Sequence, residues 1–472
     1  MIKPILKGNM DPQKLISYRP VSNLSYLSKL LEKVILDQLM DYLVSIEVLP
    51  DTQSAYKQLY STETTLCRVA NDILCLMDEG KCGLLLLLDL SAAFDTVIHD
   101  VLLDDLRAIG VTQGALTYLQ SYLHNRSFCV QVGNTISEHC LLRRGVPQGS
   151  VLGPILFCIY TIELSHLLKE HEISFNLFAD DTQFYLCFRN IQDTENVLNR
   201  VMTDVKRWMD SKQLKLNEDK TECLIIGKKC ALKNLTVLPH SFNVLGTEIK
   251  VLEEVKDLGV TLDKHLSLNE QINKTVKVAR FNLRNIAFIR RYLDEKSIKM
   301  LVQNQVINRL DYCNSLYYKL PKYQLRKMQL IMNKAARLIK SVSPYDRITP
   351  VLIELHWLPI QARIVYKVCV LTFQAMMTGK PEYIRKLLTP FNINTSIVVR
   401  HASEEHRLFE PRSETDIGFR AFKMSAPRLY NKLPKDVKDS PNITLFKKRL
   451  KTFLFTDCYD LDSSTITEPY AL

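Results

Sequence analysis

Three aspartates stand where this chain could perform phosphoryl chemistry. Asp89 follows an apolar run at 84–88, and Asp180 and Asp181 lie between the apolar stretches 173–178 and 183–188. Moving a phosphoryl group asks little covalent chemistry of a protein. It asks for two divalent ions, one activating the attacking hydroxyl and one holding the phosphates. Such ions take hard oxygen ligands on rigid elements, and carboxylates at a strand end and in a hairpin turn would supply them if the strands lay side by side. An Asp-Asp pair is also ordinary turn chemistry, because aspartate is favoured where a backbone reverses. The surrounding elements have to decide between the two.

Residues 84–88 are five leucines, short enough and bounded well enough for a buried strand that ends at Asp89. Residues 173–178 and 183–188 form a pair of strands around the tight turn Ala179-Asp180-Asp181-Thr182. Leu27, Leu30, Leu31, Val34, Ile35, Leu39 and Leu43 recur near helical spacing and predict a helix over 24–44. Similar spacing predicts helices over 62–77, 101–123, 155–168 and 190–214. Residues 128–132 alternate like a strand before the Gly133-Asn134 turn, and 222–226 and 255–262 read as short strands around Gly227 and Gly259. The stretch RRGVPQGSVLGP, 143–154, is a glycine-rich loop feeding the helix at 155. From 264 to about 339 the pattern is mainly helical, and it changes at SVSPYDRITP. Boundaries near Asp263 and Pro344 divide the chain into 1–263, 264–343 and 344–472, and the mixture of elements is α+β.

The 472 residues are 46% hydrophobic, enough to bury several cores, which argues against disorder. Net charge is +11, and it is concentrated: residues 264–340 hold seventeen Lys or Arg against four acids. A basic helical segment suits a phosphate backbone, although a solvated face of charged helices gives the same count. Twelve cysteines contain no CxxC pair, so neither zinc-finger spacing nor a compact disulfide framework is present and a reduced intracellular setting is expected. No apolar run reaches the length of a signal peptide or a membrane span, so no membrane association is expected.

Taken in order, LLDLSAAFDTVIH, RRGVPQGSVLGPILF, LFADDTQFY, NEDKTECLIIG and VKDLGVTLD resemble the palm motifs of LINE-type non-LTR retrotransposon reverse transcriptases. The opening SYRPVSNLSYLSKLLEKVI is similar to their fingers motif, and the likeness runs through roughly the first 260 residues. The wording of the palm motifs disfavours telomerase or a group II intron maturase. The resemblance implies a right-hand polymerase: fingers and palm with an antiparallel sheet in 1–263, a basic helical thumb in 264–343, and a mainly helical C-terminal extension of unknown role in 344–472. It implies RNA-directed DNA synthesis from dNTPs on an RNA template and a DNA primer, with two Mg2+ ions, or Mn2+ as a substitute.

The same resemblance assigns roles. Asp89, Asp180 and Asp181 match the metal-binding carboxylates, and the backbone carbonyl of Leu90 would be a further ligand. Phe94 matches the steric gate, where an apolar ring against C2′ leaves a ribose hydroxyl clashing or unpaired; a core aromatic beside the strand is the plainer alternative. Arg19 matches the arginine that contacts the incoming triphosphate, with Lys14 or Lys7 as assistants. Gln148 matches the residue that steadies the nucleotide, with Gly149 allowing close backbone approach, and a Pro-Gln-Gly turn without a side-chain role is the alternative. Lys220 matches a lysine proposed to protonate leaving pyrophosphate, or is one more exposed lysine. Leu258, Gly259 and Val260 resemble the primer grip. Lys274, Lys277, Arg280, Arg284, Arg290 and Arg291 would meet the nucleic-acid backbone.

The C-terminal stretches LHWLPIQARIVYKVCVLTFQAM and GFRAFKMSAPRLYNKLP are similar to the corresponding region of jockey-like elements, and Trp357 reads as core rather than a base-stacking platform. The fingers motif begins within twenty residues of Met1, leaving no room for the endonuclease that usually precedes it. The chain thus reads as a shortened open reading frame, and a non-catalytic nucleic-acid-binding remnant is the competing expectation. Family behaviour implies nuclear or cytoplasmic residence.

Overall fold

The computed structural model describes residues 1–8, 10–188, 191–217, 220–234, 239–244, 246–391 and 407–459. The chain divides into two compact units, Met1–Gln58 with Leu85–Cys223 and Pro239–Val251, and Leu59–Leu84 with Leu224–Leu238 and Leu252–Leu472. Helices and sheet coexist, as the α+β expectation requires.

A six-stranded sheet has the order Ser241–Val244, Thr247–Leu252, Glu222–Ile226, Cys82–Leu88, Asp181–Phe188, Ser174–Phe178. Its central strand Cys82–Leu88 is buried almost throughout, which is why it reads as an unbroken apolar run rather than an alternating one. The hairpin Ser174–Phe178 with Asp181–Phe188 pairs antiparallel, Phe178 opposite Asp181. A two-residue turn, Ala179-Asp180, joins the strands, two residues shorter than the turn 179–182 that the sequence pattern suggests, because Asp181 and Thr182 already pair in the second strand.

Two further elements depart from expectation. Residues 101–123 are two helices, His99–Ala108 and Gln113–Leu123, interrupted at Gly110, whose φ is +89°. Residues 155–168 also break in two, Gly153–Tyr160 and Ile162–Glu170, where the Thr161 hydroxyl donates back to the carbonyls of Phe157 (3.1 Å) and Cys158 (3.2 Å) and diverts the helical ladder. The helix Tyr26–Ser45 lies where its period places it, yet Leu27, Leu30, Leu31 and Val34 are exposed while Glu32, Leu39 and Leu43 are buried. An N-terminal antiparallel hairpin, Ile2–Leu6 with Tyr18–Ser22, was not legible in the pattern.

In the second unit, the hairpin Glu254–Asp257 with Val260–Asp263 precedes the long helix Asn269–Ile289. Asp263 links the two: its carboxylate accepts from the amides of His265, Ser267 and Leu268 at 3.0, 3.1 and 2.7 Å. The helices Ile360–Thr378, Phe422–Asn431 and Ile443–Tyr459 share a core in which Phe373 stacks on Phe446 with centroids 4.0 Å apart. Trp357 is buried, in line with its reading as a core residue.

Candidate active site

Neighbouring strands bring the aspartates together. Asp89 follows the strand Cys82–Leu88, and Asp180-Asp181 form the turn and first residue of the strand beside it. Ala179, which opens the turn, has φ +59°, a conformation that favours glycine. Gln53, 2% exposed, holds it there: its Oε1 accepts the N–H of Ala179 at 3.2 Å and that of Ala55 at 3.0 Å. Next to it, the Ser54 amide donates to the Leu177 carbonyl at 2.9 Å and the Leu177 amide to the Thr52 carbonyl at 2.8 Å. Nothing in the sequence pattern had singled out Gln53.

The carboxylates feel one another. Asp181 keeps exposed surface, yet crowding around its carboxyl and the charges of Asp180 and Asp89 push it up to about 6, with Lys220 pulling the other way. Asp180 is raised by burial and by Asp89, against Arg19 and Lys220. Like charges gathered in this way are unfavourable until a cation joins them, so the donor set suits a divalent ion. Among the described residues no three acidic, histidine or cysteine side chains already converge as ligands. Lys220 Nζ lies 3.0 Å from Asp89 Oδ2, and Asn217 Nδ2 donates to the same oxygen at 2.7 Å. Backbone pairing lays the segment down: the Asn217 amide donates to the Asp89 carbonyl and the Ser91 amide to the Lys215 carbonyl, both at 2.8 Å, and Leu90 bridges Leu216. Asn217 stands in the quoted NEDK motif and was assigned nothing; Glu218 and Asp219 of that motif lie outside the described residues.

The loop carrying Gln148 is zipped to the segment carrying Phe94. Gly145 donates to the Val97 carbonyl at 2.7 Å and Val146 to the Phe94 carbonyl at 2.8 Å. Gly145 has φ +87°, and a Cβ there would stand 2.8 Å from the Asp95 carbonyl oxygen, so only glycine allows this approach. Gln148 Nε2 donates to both Asp95 carboxylate oxygens, at 3.0 and 2.9 Å, which orients its side chain. Phe94 is partly exposed and stacks on the fully buried Phe157, centroids 4.7 Å apart. Its ring is therefore a core contact that keeps part of its surface open. Arg19 is exposed on the strand Tyr18–Ser22, close enough to Asp180 to lower its pKa. Lys7 donates to the Ile16 carbonyl at 3.0 Å, and Lys14 is exposed.

In the second unit, Leu258 (φ +42°) and Gly259 (φ +84°) form the two-residue turn of their hairpin, with Asp257 opposite Val260. The Tyr312 hydroxyl donates to the Leu258 carbonyl at 2.6 Å, bracing a non-glycine residue in a left-handed conformation. Of the candidate backbone-binding cations, Lys277, Arg280, Arg284 and Arg291 are exposed. Lys274 pairs with Glu254 at 2.8 Å, and Arg290 donates to the Leu338 carbonyl at 2.8 Å.

Residues 5–262 match the family model described as reverse transcriptase (RNA-dependent DNA polymerase). The chain is 28% identical over 342 residues to the probable RNA-directed DNA polymerase from transposon BS of Drosophila melanogaster, covering 70% of this chain and 37% of that protein. It is 26% identical over 354 residues to the RNA-directed DNA polymerase from mobile element jockey of the same species, covering 73% and 38%. These relatives bear out the jockey-type, non-LTR likeness of the motifs, and the chain spans well under half of their length. Among solved structures, apo telomerase from Candida tropicalis is similar over 75% of this chain and 61% of its own, with 11% identity and a TM-score of 0.39.

Proposed function

Because the chain belongs to the reverse transcriptase (RNA-dependent DNA polymerase) family, we propose that it is the RNA-directed DNA polymerase of a non-LTR retrotransposon, joining dNTPs to a primer 3′-OH on an RNA template. One observation carries the reading: inside the matched region, Asp89 and the Asp180-Asp181 turn occupy ends of neighbouring strands, where the charge of Asp89 helps to raise the proton affinity of Asp180 and Asp181. Asp89, Asp180, Asp181 and the Leu90 carbonyl would hold two divalent ions, magnesium or manganese in its place. Bound there, the ions supply activation of the 3′-hydroxyl and neutralisation of the triphosphate charge.

The chain's own groups do the rest by position and charge. Arg19 faces the triphosphate with its planar donor fork. Phe94 presents an apolar ring to C2′, and Gln148, held by Asp95, steadies the nucleotide with Gly149 beside it. Lys220, paired with Asp89 at 3.0 Å, would turn its ammonium to the pyrophosphate during transfer. Leu258, Gly259 and Val260 hold the primer end. Lys277, Arg280, Arg284 and Arg291 supply phosphate contacts, while Lys274 and Arg290 would have to leave their present partners to join them. The functional division is fingers and palm in 1–263, thumb in 264–343 and an extension in 344–472. The setting is nuclear or cytoplasmic; no helix among the described residues is long and apolar enough to cross a membrane.

The test is magnesium-dependent extension of a DNA primer on an RNA template by the chain and by its Asp180→Asn, Asp181→Asn double variant. Extension by the parent alone is expected. Extension by both would remove the carboxylates from their role, and extension by neither, with hybrid binding intact, would favour a non-catalytic remnant.

A further inference from the structure

The helix Tyr26–Ser45 buries a carboxylate: Glu32 is 1% exposed. Its Oε2 accepts the amides of Val151 at 2.7 Å and Leu152 at 3.2 Å and the hydroxyl of Tyr122 at 3.4 Å, while Ser28 Oγ donates to Oε1 at 3.2 Å. Val151 and Leu152 immediately precede the helix Gly153–Tyr160. The first amides of a helix lack partners within it, and a negative charge there meets both those donors and the positive end of the helix dipole. Leu152, the N-cap, offers no side-chain oxygen, and Ser150 Oγ accepts the Gly153 amide. The missing acceptor is supplied by a residue 119 positions earlier.

The same loop is held at its other end. The Ser22 amide donates to the Gln148 carbonyl at 2.8 Å, and Ser22 ends the strand that carries Arg19. Gln148 and Gly149 thus hang between two anchors, Ser22 and Glu32, that lie ten residues apart on one N-terminal segment. Gly149, at φ +98°, bends the backbone so close to Ser22 that a Cβ would stand 3.1 Å from the Ser22 carbonyl oxygen. The buried carboxylate is the stiffer anchor, because deleting it leaves two amides, that of Leu152 buried, without their acceptor.

We propose that Glu32 is a positioning residue for nucleotide binding, which sets the Gln148 loop in register with Arg19 without touching the substrate. The proposal rests on the reading of Gln148 as a nucleotide contact. A scaffold role alone would lower stability and leave nucleotide affinity untouched in the folded fraction. A positioning role moves KM for the dNTP, because a small displacement of a contact group weakens binding steeply.

The experiment compares the full chain with Glu32→Ala and Glu32→Gln, measuring single-nucleotide incorporation and hydrogen exchange at the Val151 and Leu152 amides. For Glu32→Ala, KM for the dNTP should rise about tenfold or more with kcat within about threefold, and the two amides should exchange at least about tenfold faster. Glu32→Gln keeps one acceptor oxygen, is far less disruptive to folding, and should fall between the parent and alanine. In a Gln148→Ala background, the further effect of Glu32→Ala on KM should shrink below about threefold. Unchanged exchange at Val151 and Leu152, an unchanged KM despite faster exchange, or full additivity with Gln148→Ala would each overturn the proposal. A parent that incorporates no nucleotide would sink the reading of the site and the affinity claim with it, while the exchange rates would still decide whether Glu32 clamps the loop.

Discussion

Replacing Phe94 by alanine tests the proposed sugar-selecting role of its ring and separates it from the ring's packing. The ring lies against Phe157, centroids 4.7 Å apart and 30° from parallel, and Phe157 is wholly buried. Because part of Phe94 remains exposed, its removal should destabilise the first unit by about 3 kcal/mol, the lower end for a buried phenylalanine. The catalytic effect should be of a different kind. An apolar wall that meets an added hydroxyl discriminates by roughly a hundredfold, or about 2.7 kcal/mol, so most of that should disappear in Phe94→Ala. The assay is kcat/KM for matched ribonucleoside and deoxyribonucleoside triphosphates on one primer-template, corrected for the folded fraction. Phe157→Leu keeps the gate ring but softens the wall behind it, and should relax discrimination by only a few fold. A ratio for Phe94→Ala within about twofold of the parent would refute the gate and leave Phe94 a core aromatic.

Other perturbations probe the supports of the site and of the second unit. Gln53→Leu strips the acceptor from the Ala179 amide, so single-turnover incorporation should fall by about ten- to a hundredfold while the primer-template Kd stays within a factor of two; an unchanged rate would free the turn from Gln53. Lys212, 5% exposed, donates to both Asp105 oxygens at 2.7 and 2.9 Å and approaches Glu163 at 3.1 Å. Lys212→Met should cost about 3–5 kcal/mol in denaturant unfolding of the first unit, since Asp105 is left without its cation. A loss below about 1 kcal/mol would show that solvent already compensates that carboxylate. Asp78 accepts from the side chains of Ser413 and Thr415 and the amides of Glu414 and Thr415. Burial works to raise its pKa, but these hydrogen bonds prevail and hold it below the usual carboxylate range. Its contribution is therefore complete above the unfolded value of about 3.9 and lost as pH falls through the lower folded value. Exchange protection at 413–418 should drop across that acid window in the parent and be low and flat in Asp78→Ala; identical acid profiles would dismiss the tether.

How much was legible depends on how local each signal is. Periods of two and 3.6 residues placed most strands and helices of the first unit, because they follow from backbone geometry along one segment. The helix Tyr26–Ser45 shows where that stops. Its apolar spacing located it correctly, but Leu27, Leu30, Leu31 and Val34 point outward and Glu32 inward. Which face is buried depends on what the rest of the chain lays against it. The helix breaks at Gly110 and Thr161 were missed for a smaller reason: one glycine or one back-bonded hydroxyl outweighs the apolar pattern on either side.

By itself the sequence determined the chemistry: aspartates at a strand end and in a hairpin turn, a glycine-rich loop between them in the chain, and a basic helical segment after them. These reside in residue type and short-range spacing. Tertiary structure alone decided which groups hold that chemistry in place. Gln53 on the Ala179 amide, Glu32 on Val151 and Leu152, Asn217 on Asp89 and Asp95 on Gln148 join residues 53 to 128 positions apart. An amide donates to whichever acceptor the fold delivers to it, and no local pattern records which residue that will be.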